Sequence, residues 1–123
     1  MNLTRERQGD CLLVRVDDNR IDAAAAIRFK DAMREVTADG SGRVILDLTR
    51  VQFVDSSGLG AIVAVMKFLA PQQTLELAGL GGNVARVFRL TRMDTVFVLH
   101  DRVPTMDGPA AMAAPGDGVA LGA

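Results

Sequence analysis

The run from Arg43 to Leu69, RVILDLTRVQFVDSSGLGAIVAVMKFL, limits the possible folds of this chain more than any other stretch. Val44, Ile45, Leu46 and Leu48 form a nearly unbroken apolar segment, the pattern of a strand covered on both faces. A polar turn follows at Asp55-Ser56-Ser57-Gly58, and Leu59 to Leu69 has the length of a helix. At about 100° per residue, Leu59, Ile62, Val63, Met66 and Leu69 share one side of it. The opposite side carries Gly60, Ala61, Ala64 and Phe68, with only Lys67 charged nearby. A helix apolar all round is either sandwiched or offers an apolar patch to a partner. In so small a domain the second reading is favoured.

The flanking segments complete an alternating pattern. Asn2 to Gln8 reads as a weak edge strand, Gly9-Asp10 as a turn, and Cys11 to Val16 as a second strand, with the opening hairpin antiparallel. Asp22 is a good N-cap for a helix beginning at Ala23. In that helix Ala26, Phe29, Met33 and Val36 form a core-facing stripe, and Gly40 suits a left-handed C-cap. Phe53 and Val54 suit a short buried piece. Pro71 stops the next helix, and Thr74 to Ala78 alternates as a fourth strand. Val84, Val87, Phe88 and Thr91 fall at helical spacing, with Arg86 and Arg89 outward, before a fifth strand at Val96 to Leu99. The expectation is one α/β domain over residues 1–103. It should hold a mixed, mostly parallel sheet of four to five strands, with helices packed mainly on one face. From Pro104 the chain turns to Ala, Gly and Pro, so residues 104–123 are expected to form a flexible tail, with at most a brief helix around Ala110 to Ala114.

Composition narrows the function. With 123 residues, one domain is expected. A net charge of −1 gives no reason to expect nucleic acid or anionic lipid as a partner. Cys11 stands alone, so no internal disulfide is expected and a reducing compartment fits. No apolar run reaches the roughly 18 residues of a membrane span, and MNLTRERQGD has no signal-peptide core, so a cytoplasmic location without membrane insertion is expected.

Conventional catalytic sites find little support. His100 is the only histidine and has no partner at metal-ligand spacing. Nothing places it near Ser56 or Ser57 for a triad. Val54 stands where a nucleophile elbow needs its first glycine, and Val63 stands where a dinucleotide fingerprint needs its third. No enzymatic activity, metal or cofactor is expected. Asp55-Ser56-Ser57-Gly58 remains. Its side chains can cap the helix that follows. A phosphate on a serine there is compatible with capping: it would bring about −1.5 to −2 charges, which the helix N-terminus tolerates and Asp55 opposes.

The run Val51-Gln52-Phe53-Val54-Asp55-Ser56-Ser57-Gly58-Leu59-Gly60 resembles the signature of STAS domains, specifically the bacterial anti-sigma factor antagonists. Arg20-Ile21-Asp22, Val44-Ile45-Leu46-Asp47-Leu48 and Val87 to Met93 resemble further family segments, so the likeness covers roughly residues 1–102. Asn19 stands in place of a usual glycine, and Arg92-Met93 in place of Gly-Leu. The resemblance implies a protein that, unphosphorylated, binds an anti-sigma factor serine kinase and so frees a sigma factor. Phosphorylation of the first serine, here Ser56, would release it, with Ser57 the fallback, and a metal-dependent serine phosphatase would reverse the change. Asp22 and Asp55 match acidic family positions, and Ser57 and Gly58 lie in the recognition loop. Leu59, within the signature, and the outer-side Gly60, Ala61, Ala64 and Phe68 complete the expected contact surface. An alternative from the same resemblance is a constitutive STAS subunit of a membrane lipid-transport or transporter complex, using the same helix without a phosphate cycle. A nucleotide-binding sensor would need a phosphate cradle, which the sequence lacks. Monomer and weak homodimer both remain open.

Overall fold

The computed structural model describes residues 1–38, 40 and 42–103. The expected tail at 104–123, with its brief helix, lies outside the described residues. Strand β1 (Leu3–Gln8) pairs antiparallel with β2 (Cys11–Val16), from Leu3 opposite Val16 to Gln8 opposite Cys11. Beyond β2 the pairing is parallel throughout: β4 (Gly42–Asp47), then β6 (Gln73–Ala78), then β7 (Val98–His100). The sheet order is therefore β1-β2-β4-β6-β7. Two further two-residue strands, β3 (Arg20–Ile21) and β5 (Phe53–Val54), pair parallel with each other as a separate small ribbon.

Helices α1 (Ala26–Val36), α2 (Ser56–Leu69) and α3 (Gly82–Leu90) bury their apolar sides in one core. Alternation along the strands decides which side chains reach them. Leu12, Val14 and Val16 of β2, Val44 and Leu46 of β4, and Leu75 and Leu77 of β6 meet Phe29 and Met33 of α1, Ile62 and Val65 of α2, and Val84 and Phe88 of α3. Phe97 closes the α3 end with its ring edge-on to Phe88 at 5.9 Å.

The other sheet face carries no helix among the described residues, so the expected second cover of β4 takes another form. Ile45 is fully buried beneath its neighbours Cys11, Leu13, Ala78 and Val103. Beside them Glu76 accepts two hydrogen bonds from Arg43, at 2.9 and 2.8 Å, and lies 2.7 Å from His100 Nε2. The Arg43 bonds, with the His100 contact, hold the Glu76 carboxyl below its ordinary range although partial burial opposes this. Burial pushes the Cys11 thiol up.

Three local expectations are corrected. Helix α1 begins at Ala26, not Ala23, and its N-cap is Ala25. Asp22 instead caps the turn ahead of the helix, accepting from Ala25 N–H at 3.2 Å. Gly40 is not left-handed. The helix ends at Thr37, whose hydroxyl donates to the Met33 carbonyl at 2.7 Å, and the positive φ (+93°) falls on Gly42. A Cβ on Gly42 would sit 2.3 Å from the Asp10 carbonyl oxygen, so the entry to β4 requires glycine. The last strand starts at Val98, because a 3-10 turn at Met93–Thr95 occupies the approach and Phe97 turns into the core. Of the two positions where the resemblance implied glycine, Arg92 takes a left-handed φ of 64° and Asn19 does not.

Candidate functional site at the start of the second helix

The β3–β5 ribbon builds the site. Its register pairs Arg20 with Phe53 and Ile21 with Val54, so the next residues, Asp22 and Asp55, leave the ribbon side by side. Each is followed by a helical turn, which brings the starts of α1 and α2 to one edge of the molecule. Ile21 and Val54 anchor the ribbon in the core. Above it the Arg20 guanidinium lies 4.8 Å from the Phe53 ring centre and bonds Asp22 Oδ2 at 3.0 Å.

Asp55 is the N-cap of α2. Its Oδ1 accepts from Gly58 N–H at 2.8 Å, and its Oδ2 accepts from Ala23 N–H at 3.1 Å. One carboxylate thus satisfies a donor in α2 and ties that helix to the turn before α1. The Gly58 bond, joined by the Ala23 and Ser57 amides and by Arg20, holds the Asp55 carboxyl below its usual range against the opposing effect of desolvation. With Asp55 as the cap, Ser56 becomes the first helical residue and Ser57 the second. Both are exposed.

The remaining residues expected at the site divide. Gly60 is exposed, and a Cβ there would meet open space. Asp22, Asp55 and Ala64 are half-buried. Gly58, Leu59 and Ala61 are buried, which corrects their place in a contact surface. The buried side of α2 is turned from the expected one toward Ala61 and Val65, because α2 packs on α1 as well as on the sheet. At Gly58 a Cβ would lie 1.8 Å from the Ile21 carbonyl oxygen, so this glycine permits α2 to cross β3. Phe68 is half-buried three turns along α2, beneath the Arg34 guanidinium at 4.2 Å, and belongs to the far end of the helix. The contiguous exposed patch is therefore Ser56, Ser57 and Gly60, bordered by the acids. The sequence reading missed Arg20 as its flank and expected Phe53 to be buried with Val54, whereas Phe53 is 44% exposed and lies beneath the Arg20 guanidinium. The repeated form Ile21-Asp22 and Val54-Asp55 was the signal available for finding them.

A serine hydroxyl at an exposed helix start can receive a group from another protein. With Asp55 and Asp22 beside it, added negative charge there is opposed locally, and the nearby Arg20 guanidinium is already engaged by Asp22 and the Phe53 ring. The described residues contain no cluster of three or more metal-ligating side chains, and no helix among them is long and apolar enough to cross a membrane.

Comparison with known proteins agrees with this architecture. The STAS domain family matches residues 2–106. An anti-sigma-B factor antagonist of Listeria monocytogenes is 36% identical over 90 residues, covering 72% of this chain and 78% of the relative. The anti-sigma-F factor antagonist RsfB of Mycobacterium tuberculosis is 27% identical over 92 residues, covering 72% and 75%. The crystal structure of an anti-sigma factor antagonist from Mycobacterium paratuberculosis superimposes with a TM-score of 0.72 at 27% identity, over 86% of this chain and 87% of that one. With the signature turn set at the head of α2 and the sheet ordered as described, the chain belongs to the STAS domain family, among the anti-sigma factor antagonists.

Proposed function

We propose that this protein is a phosphorylation-switched antagonist of an anti-sigma factor. In its unmodified state the patch of Ser56, Ser57 and Gly60, with Asp22, Asp55 and Ala64 at its border, docks on an anti-sigma serine kinase and so withholds that kinase from its sigma factor. The kinase then transfers the γ-phosphoryl group of ATP to Ser56. The Ser56 oxygen forms the new P–O bond, the bond to ADP breaks, and the hydroxyl proton leaves to a base on the kinase. The dianion disfavours the docked state, because a desolvated charge facing the partner has no compensating group. A metal-dependent serine phosphatase restores the hydroxyl, and the cycle belongs to the cytoplasm. This protein is substrate and ligand in the cycle, not catalyst.

The observation that carries the reading is the division of labour at the helix start. Asp55 takes the capping role, which leaves the Ser56 hydroxyl exposed and outside the cap. The test is incubation with the cognate kinase and ATP followed by mass spectrometry. One phosphate should appear on Ser56 and none on a Ser56→Ala variant. Ser56→Asp should bind the kinase at least about tenfold more weakly, while Ser56→Ala should bind and resist release by ATP. Unchanged affinity in both variants would count against the switch.

A further inference from the structure

At the opposite end of α2 from Ser56, the C-terminal ends of α1 and α2 meet the start of β6. They leave an open cavity of about 330 Å³ lined by Arg34, Thr37, Gly40, Phe68, Gln72 and Gln73 among others. This lies at the lower end of the size range of small-molecule sites. We infer that this cleft binds a small organic anion, with its oxyanion group toward Gln73 and its apolar body against Phe68.

Gln73 carries the argument. It shares the helix-facing side of β6 with Leu75 and Leu77, so a leucine would suit the slot if packing were its only task. Instead the chain places an amide there, 6% exposed, and Nε2 finds no hydrogen-bond partner among the described residues. A buried donor without a partner is costly, and a ligand acceptor would remove that cost. The surroundings point to the same chemistry. A Cβ on Gly40 would fall 2.7 Å from Gln73 Nε2 and 2.9 Å from Arg7 Nη2, so an amide and a guanidinium converge on the point that this glycine leaves open. The Arg34 guanidinium stands over the Phe68 ring at 4.2 Å, and no carboxylate lies within ion-pair distance of it among the described residues. Donors and positive charge select an acceptor-bearing anion. The Phe68 and Leu69 walls select one with an apolar body, so a carboxylate or phosphate ester on a ring or short chain fits and a bare ion fits less well.

The test uses the full ¹⁵N-labelled chain, titrated separately with inorganic phosphate and with benzoate at constant ionic strength, against sodium chloride. Benzoate should produce a saturable shift of the Gln73 side-chain amide and bind more tightly than phosphate. Gln73→Leu should weaken benzoate binding about tenfold or more. Should that variant fail to fold, Gly40→Ala serves, since the tight contacts of its Cβ are with the ends of two flexible side chains, the Thr37 carbonyl oxygen lying at an ordinary 3.6 Å, and it should fill the approach with the same loss. A benzoate shift no different from that of chloride, phosphate binding tighter than benzoate, or full benzoate affinity in either variant would overturn the inference. None of these readings depends on Ser56.

Discussion

The turns at 20–25 and 53–58 begin alike and end differently. Each leaves a two-residue strand of one parallel ribbon through an aspartate, and each aspartate accepts from the N–H three residues on: Asp22 from Ala25 at 3.2 Å, Asp55 from Gly58 at 2.8 Å. In the second turn the helix starts at once. In the first it waits until Ala26. The second oxygen of each acid explains their unequal weight. That of Asp22 holds Arg20, two residues back in its own segment, whereas that of Asp55 reaches across to Ala23. Asp22 completes a local turn, while Asp55 joins two helices. The third position differs as well, because α2 crosses Ile21 so closely that only glycine fits at 58.

The sharpest way to break this comparison is Gly58→Ala. Its Cβ would overlap a backbone oxygen that cannot swing aside, so a loss of about 3 kcal/mol is expected in urea unfolding. A loss under about 0.5 kcal/mol would show that α2 can shift off β3 and that the close crossing is dispensable. Next come the acids. Asp55→Ala should lower the melting temperature clearly more than Asp22→Ala, and equal losses would remove the distinction between a bridging and a local acid. Acid sharpens the same point. The Asp55 carboxyl is lowered in the fold, so its contribution is complete above its unfolded value near pH 4 and is lost as pH falls through the folded value. The gap between wild type and Asp55→Asn should therefore be widest near neutrality and close in acid, as followed by circular dichroism. The smallest expected effect is Gly60→Ala, two residues from the critical glycine but facing open space. It should stabilise the domain by about 0.5–1 kcal/mol through helix propensity. Any loss of binding to the proposed kinase partner in that variant would then report on the proposed docking surface.

Much of this was legible in the sequence, because apolar periodicity reports burial. The β1–β2 hairpin, the core stripe of α1 and the strand read at Thr74 to Ala78, one residue short of the observed β6, follow from it directly. The signature turn was legible through its resemblance to a family. What remained hidden depends on approaches between segments distant in the chain. Ala61 looks like a surface residue until α1 is laid beside it. Gly58 looks like a flexible turn residue until Ile21 passes underneath. Gly40 reads as the left-handed position until the close approach of Asp10 shows that the positive φ belongs to Gly42. Gln73 gives no local sign that its amide is enclosed, since the enclosure comes from the ends of two helices.

The double grip of Asp55 has a consequence for any modification beside it. The amides at the mouth of α2 already hold a carboxylate, so an ester formed at position 56 would find no vacant cradle inside the domain. Its oxygens would stay in the water layer, and the backbone beneath would have little reason to rearrange. A receptor would then sense the change as altered surface potential on a rigid body, and the free protein would melt at nearly the same temperature in both chemical forms.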